Sequence, residues 1–176
     1  ELKEENGVKT HLKINEDLKI FIPKLKIILK KISIDKNWYS KIYDWKKKYP
    51  IIQKKYLKEK NYTNPYIFFR KLSETCKKNY VIVNDASANL VWSYQSFIAK
   101  KGQKIFTALN HSPMGYSIAA SIGASLAEPK KKIIVIIGDG SVPMNVQELE
   151  NIKNLNLPIY IFIINNSGYG MIKQTL

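Results

Sequence analysis

Two short apolar runs fix most of what this chain can fold into. Ile133-Ile134-Val135-Ile136-Ile137 leads into Gly138-Asp139-Gly140-Ser141, and Ile159-Tyr160-Ile161-Phe162-Ile163-Ile164 leads into Asn165-Asn166. Each run is rich in branched and aromatic residues, short, and bounded by turn formers, so each reads as a strand buried on both faces. An acid-bearing glycine turn and an asparagine pair therefore fall at the carboxyl ends of adjacent strands, the edge at which open α/β sheets bind ligands. The fold class expected is α/β, a doubly wound, mostly parallel sheet with helices on both faces, preceded by a short helical segment.

The residue types at that edge carry their own chemistry. An Asp carboxylate and an Asn carbonyl are hard oxygen ligands of the kind magnesium takes, with substrate phosphates usually completing its shell. The flanking glycines let backbone amides approach a phosphate closely. A Gly-Asp-Gly by itself is a common turn. Here Asn166 falls 27 positions after Asp139 (166 − 139), and a strand precedes each half. That arrangement resembles the cofactor signature of thiamine-diphosphate-dependent enzymes, in which a Gly-Asp-Gly turn is followed a little under thirty residues later by Asn-Asn at the end of the next strand.

Composition narrows the alternatives. The chain has 176 residues and a formal charge of +15, yet its lysines are spread along the sequence and Arg70 is the only arginine. Nucleic-acid readers favour arginine forks, so no nucleic-acid partner is expected. Cys76 is the only cysteine, which rules out an internal disulfide and fits a reducing compartment, and a cytoplasmic location is expected. No histidine lies near it in sequence, so no catalytic thiol is expected. No apolar run is long enough to span a membrane, so no membrane partner is expected. The start, Glu1-Leu2-Lys3-Glu4-Glu5, is no signal peptide and lacks an initiator Met, and reads as the interior of a longer protein.

In chain order, residues 1–10 show no clear element. Asn15-Glu16-Asp17 starts a helix running to about Lys31, with Leu18, Phe21, Ile22, Leu25, Ile28 and Leu29 on its apolar face. Pro23 falls inside that pattern, where its missing N–H favours a kink. A second helix is expected from about Lys36 to Tyr49, with Trp38, Ile42 and Trp45 on one face and Pro50 as its stop. Residues 51–63 read as a polar linker. Asn64 as N-cap and Pro65 at the first helical position open a third helix with Ile67, Phe68, Leu72 and Cys76 inward. A strand over Tyr80–Val83, the loop Asp85-Ala86-Ser87-Ala88-Asn89, and a short strand over Lys104–Ala108 follow. A small-residue helix then spans Ser117–Leu126, where Ala119, Ala120, Gly123, Ala124 and Ala127 would allow close approach of a sheet or another subunit. Val142–Asn156 reads as one helix with Val146, Leu149, Ile152 and Leu155 inward and its N-terminus toward a bound anion. Glu148, a turn or more into that helix, reads as structural.

More of the chain carries the resemblance, and it points to the acetolactate-synthase-like branch. Trp92 and Gln95 keep a Trp-x-x-Gln that follows a diphosphate-wrapping loop, matched here by Ala86, Ser87, Ala88 and Asn89. Met114, Gly115, Ala120, Gly123 and Ala124 fit a further segment of the branch, as do Asn145-Val146-Gln147-Glu148-Leu149. The opening, with Asp17-Leu18, Trp38 and Trp45-Lys46, is similar to the end of the branch's middle domain. The resemblance thus divides the chain into residues 1–50 as the helical end of a middle domain, 51–63 as linker, and 64–176 as the thiamine-diphosphate-binding domain, incomplete at its C-terminus. The chain departs from the pattern at Ser87 and Ser112, where the family has Gly, and at Thr175, where acetolactate synthase has Trp.

The resemblance implies thiamine diphosphate and Mg2+ as cofactors. It makes Asp139, the Asn166 side chain and the Gly168 carbonyl the protein ligands of the metal, with Gly138, Gly140 and Ser141 around the diphosphate and Tyr169, Gly170 and Met171 completing the cofactor loop. Met114 would be the apolar wedge that bends the cofactor, and Ser112 would offer its carbonyl to the aminopyrimidine. His111 would either touch substrate or cap its loop. The implied activity is decarboxylation and carboligation of a small-molecule 2-oxo acid. The implied assembly is a homodimer or tetramer in which a neighbouring subunit's pyrimidine-binding domain supplies the activating Glu; nothing in this chain resembles that domain, so the chain alone is expected to be inactive. In some relatives the middle domain also carries a flavin, FAD. The alternatives are a non-catalytic cofactor-binding or regulatory paralogue and, furthest off, a basic nucleic-acid-binding protein.

Overall fold

The computed structural model describes residues 11–176, so the expectation for residues 1–10 lies outside the described residues. The chain divides into two compact units, the first running to Tyr49 and the second from Pro50 to Leu176.

The first unit holds helices α1 (Leu18–Leu29) and α2 (Lys36–Lys48). Both start on an aspartate: Asp17 accepts from the Lys19 N–H at 2.7 Å and Asp35 from the Asn37 N–H at 2.9 Å. The helix α1 continues through Pro23. No residue of either helix is buried; of the expected apolar face of α1, only Phe21 and Leu25 are half-covered. In α2 the seven-residue spacing of Trp38 and Trp45 brings their rings edge to face at 5.7 Å.

In the second unit, residues 51–63 contain a 3-10 turn, Lys54–Lys58, whose Tyr56 stacks on Tyr66 at 5.8 Å. Helix α3 (Pro65–Thr75) starts as expected, Asn64 Oδ1 accepting from the Tyr66 N–H at 3.1 Å. Its buried face differs from the expected one: Phe69 is fully buried with Leu72, Ser73 and Cys76, whereas Ile67 and Phe68 are half-covered. Positions 69, 72, 73 and 76 form one helical stripe, and Phe69 heads it. Burial raises the pKa of the Cys76 thiol against the opposing pull of Lys100, which keeps it an inert core residue.

Four parallel strands follow, β1 (Val81–Asn84), β2 (Lys104–Phe106), β3 (Ile133–Gly138) and β4 (Ile159–Ile164), in the order β2-β1-β3-β4. Strand β2 stops two residues short of its expected end. Period-two alternation splits the apolar side chains between two helical layers. Ile82, Ile134 and Ile136 pack with Phe69, Leu72 and Cys76 of the α3 side, joined by Trp92 of α4 (Ala88–Ser96). Val81, Val83, Ile133, Val135 and Ile137 face α5 (Tyr116–Ala127). Helices therefore cover both faces, and the sheet is doubly wound as expected.

Strand β3 is buried on both faces, but β4 is not: Tyr160 is 46% and Ile163 52% exposed. Among the described residues β4 pairs on one side only, with β3, and at the sheet margin its side chains outrun the helical cover. Of the small residues expected on α5, the half-covered Ala120 and Ala124 pack on Val81, Val83 and Ile133, while Ala119, Gly123 and Ala127 are exposed; the most buried row is Ser117, Ile118, Ser121 and Ser125. The Ser121 hydroxyl donates to the Ile118 carbonyl at 2.6 Å, so it can be buried as a small core residue without an orphaned polar atom.

The helix expected over Val142–Asn156 is also corrected. Val142–Asn145 is a 3-10 turn with Pro143 inside it, and helix α6 runs only over Glu148–Asn154. Val146, Leu149 and Leu155 are exposed; only Val142 and Ile152 reach the core. Glu148 is the first residue of α6, not a turn inside it, and accepts from the Asn151 amide at 2.9 Å. Helix α7 (Gly170–Thr175) ends the described chain. No helix among the described residues is long and apolar enough to cross a membrane.

Candidate functional site

The carboxyl ends of the strands surround a cleft of about 250 Å³. Ala86, Ser87, Ala88 and Asn89 arrive from the end of β1, the last two already in the first turn of α4. Ser112 and Met114 come from the β2–α5 connection. Gly138, Asp139, Gly140 and Ser141 come from the end of β3, and Asn166, Gly168, Tyr169, Gly170 and Met171 from beyond β4. Trp92, Ile164 and Ile172 complete the lining. Trp92 was legible in the sequence as part of a pattern, but not as a wall of the cleft. His111 is exposed and does not line it.

The last ladder bonds of the sheet aim the two key loops. Gly138 pairs with Ile164, and the Asp139 N–H continues the pairing by donating to the Ile164 carbonyl at 3.2 Å. Asn165 Oδ1 accepts from the Ser167 N–H at 2.9 Å, a turn that curls the next residues back. The result is that the side-chain amide of Asn166 faces Asp139 Oδ1 at 3.3 Å and the Gly168 carbonyl at 2.5 Å. With its nitrogen turned inward the amide donates to both. With its oxygen inward, three oxygens converge, the donor set a hard divalent cation takes. Among the described residues no three His, Cys, Asp or Glu side chains gather anywhere, so a cation at this point would have one carboxylate and neutral oxygens around it.

Charge at the cleft runs against the charge of the chain. Although the formal charge is +15, Asp139 is, among the described residues, the only charged side chain in the lining. The Ser141 N–H is engaged by the Gly138 carbonyl at 3.0 Å, which leaves the Gly140 amide and the Ser141 hydroxyl as the donors of this turn. A Cβ on Gly140 would stand 2.5 Å from a ring carbon of Tyr169, so the ring rests on the turn where only glycine leaves room.

Two serines of the lining have backbones suited to glycine. Ser87 has φ 73° and ψ −153°, a region essentially reserved for glycine, and Ser112 has φ 44°. These are the two positions at which the sequence departs from the glycines of the resemblance. Ser87 also makes no side-chain cap bond to α4. Ser87→Gly is expected to raise the unfolding free energy by on the order of 1–3 kcal/mol, read from the urea midpoint at unchanged m-value; a lower midpoint would contradict the strain.

Two further residues tie the segments together. Asp85 is fully buried and accepts from the Gly115 N–H at 3.2 Å, the Ser117 N–H at 2.9 Å and the Ser117 hydroxyl at 2.9 Å. Asn145 donates its side-chain amide to the Gly115 carbonyl at 3.1 Å. Sequence reasoning named Asp85 only as part of a loop; its partners lie thirty residues on, and no local spacing marks them.

A doubly wound sheet with glycine turns, an oxygen cluster and a cleft at its carboxyl edge defines a phosphate-type cofactor-binding domain. Residues 85–176 match the family described as thiamine pyrophosphate enzyme, C-terminal TPP binding domain, and the chain belongs to that family, in its acetolactate-synthase-like branch. It is similar to the acetolactate synthase large subunit of Lactococcus lactis subsp. lactis (strain IL1403), 32% identical over 168 residues, covering 95% of this chain and 28% of the relative. The large subunit from Buchnera aphidicola subsp. Acyrthosiphon pisum (strain APS) is 31% identical over 170 residues, covering 95% and 29%. That of Cyanidium caldarium is 34% identical over 169 residues, covering 93% and 28%. The chain thus spans less than a third of the length of these curated relatives.

Proposed function

We propose that these residues form the diphosphate-binding half of the site of a thiamine-diphosphate- and magnesium-dependent enzyme, a lyase or transferase that decarboxylates and ligates 2-oxo acids in the manner of an acetolactate synthase. The observation that carries the magnesium reading is the convergence of Asp139, Asn166 and Gly168 in a cleft at which Lys173, beside Gly168, is a single basic side chain. A diphosphate is multiply anionic, and a lone carboxylate would repel it. A divalent cation between them reverses that sign, and hard oxygen ligands select magnesium.

When bound, thiamine diphosphate supplies the nucleophilic carbon for the chemistry on the 2-oxo acid. The residues of this chain do the rest of what falls to this half. Asp139 and the carbonyls of Asn166 and Gly168 hold the metal. The Gly140 amide, the Ser141 hydroxyl and the turn from Ala86 to Asn89 hold phosphate oxygens. Met114, Trp92 and Met171 give an apolar wall that excludes water, and Ser112 offers its carbonyl to the ring end. The reading places the activating acid and the pyrimidine-binding surface on another domain, in a dimer or tetramer, and the enzyme in the cytoplasm. Residues 1–176 alone are then without turnover.

The test is thermal unfolding of the full-length protein with thiamine diphosphate and Mg2+ against Mg2+ alone, followed by carbon dioxide release from pyruvate with and without a second 2-oxo acid. Ligand at a hundred times its Kd is expected to add about 2.7 kcal/mol of stability. No magnesium-dependent shift would overturn the cofactor reading. A shift without turnover on any 2-oxo acid would leave a cofactor-binding paralogue.

A further inference from the structure

Asn145 stands in a stretch that the sequence singles out, yet it lines no part of the cleft, and Asp85 is a fully buried carboxylate with no place in the proposed chemistry. Both act on the same residue, Gly115. Its N–H is held by Asp85 and its carbonyl by Asn145, so two side chains from different strand ends grip one residue through the peptide groups on either side of it.

The grip is tight. Gly115 is buried, with φ +84°, and a Cβ there would stand 2.9 Å from Met144 Cβ and 3.0 Å from the Asn145 amide nitrogen. Asp85 is itself anchored, its N–H donating to the Ile136 carbonyl at 2.8 Å, and its second carboxylate oxygen holds the first turn of α5 through Ser117. A buried carboxylate with three donors is fixed in place, because losing any of them leaves charge unsatisfied. The neighbouring residue is Met114, which lines the cleft, is 36% exposed and belongs to none of the core clusters. Its position is therefore inherited from Gly115.

We infer that Asp85 and Asn145 are positioning residues, a clamp on Gly115 that sets where Met114 stands and so shapes the wall of the cleft contributed by the β2–α5 connection. The inference rests on the cofactor reading above. Neither side chain hydrogen-bonds to the Asp139, Asn166 and Gly168 cluster or to Gly140 and Ser141, and both hold Gly115, so the clamp acts on the ring end of the ligand more than on the phosphate end.

Two probes separate those ends. Inorganic pyrophosphate with Mg2+ reports the phosphate end alone, and thiamine diphosphate with Mg2+ reports both. In calorimetric titrations of the full-length protein, Asn145→Ala is expected to leave the pyrophosphate Kd within about twofold and to raise the thiamine diphosphate Kd about tenfold. Asn145→Asp, which sets a carboxylate against the Gly115 carbonyl, is expected to raise it further. Asp85 adjoins the phosphate-holding turn that starts at Ala86, so the half-buried Asn145 decides the matter. Equal weakening of both probes would reduce the clamp to general stability and overturn the inference, as would no change in either. If the unaltered protein binds neither probe, the cofactor reading fails and this inference falls with it. Binding of both by the unaltered protein with no split in the variants would sink the clamp alone.

Discussion

Asp139→Ala will abolish magnesium-dependent binding of thiamine diphosphate while leaving the ligand-free protein folded. The two halves of that expectation have different causes. Among the described residues Asp139 is the only acidic side chain lining the cleft, so its removal takes away the single anionic ligand a cation would have. Without the cation, Lys173 beside Gly168 leaves a single positive charge for a multiply anionic diphosphate. Affinity should fall at least about a hundredfold, roughly 3 kcal/mol. In the ligand-free protein Asp139 is half-buried and its carboxylate faces the amide of Asn166 at 3.3 Å. Losing one such contact changes stability by about 1 kcal/mol or less. Titration calorimetry at fixed Mg2+ measures the first quantity and urea unfolding the second. Retained affinity in the variant would mean that the oxygen cluster is not where the metal sits.

The largest loss of stability is expected from Phe69→Ala. Phe69 is 0% exposed and packs with Leu72, Cys76, Ile82, Ile134 and Ile136, its ring edge to face with Phe68 at 5.2 Å. Truncation leaves a cavity between helix and sheet that rigid strands cannot close, at about 3–5 kcal/mol. That is a large part of the roughly 5–15 kcal/mol by which a domain is stable. The half-covered Phe68 should cost clearly less when truncated. Urea unfolding of the two alanine variants checks the order, and a greater loss at Phe68 would reinstate the helix face that periodicity suggested.

That contrast shows where the sequence was legible. The strands β3 and β4, the turn at Asp139 and the pair at Asn165 could be read because their causes are local: branched residues favour strands, and Gly, Asp and Asn favour the turns that end them. The choice between Phe68 and Phe69 was not legible, since adjacent aromatic residues fit a helical stripe almost equally and the sheet beneath decides. Strand β4 reads as doubly buried because its residues are apolar, but exposure depends on how many neighbours it has. The single helix expected after Ser141 overlooked Pro143 and the use of Asn145 as a side-chain donor to a distant peptide. Two of the alanines of α5 pack on the sheet as their size suggested, but the most buried row holds three serines, which their polarity argued against. At the site, the segments that line the cleft could be named from the resemblance. The clamp from Asp85 could not, because its partners are far off in sequence.

The pairing of Gly138 with Ile164 has a consequence for how this chain can change over time. Asp139 stands one residue beyond that pair on one strand and Asn166 two beyond it on the other, so the ladder works as a measuring rule for the oxygen cluster. Shifting β4 by one residue would turn its side chains to the opposite faces and be rejected by the core. Shifting it by two would keep every face and every apolar contact type, yet carry Asn166 some ~6–7 Å along the strand. A two-residue insertion in β4 would thus yield a protein that folds well and binds nothing. Here the length of a strand is policed by the ligand, with the packing of the core indifferent to the error.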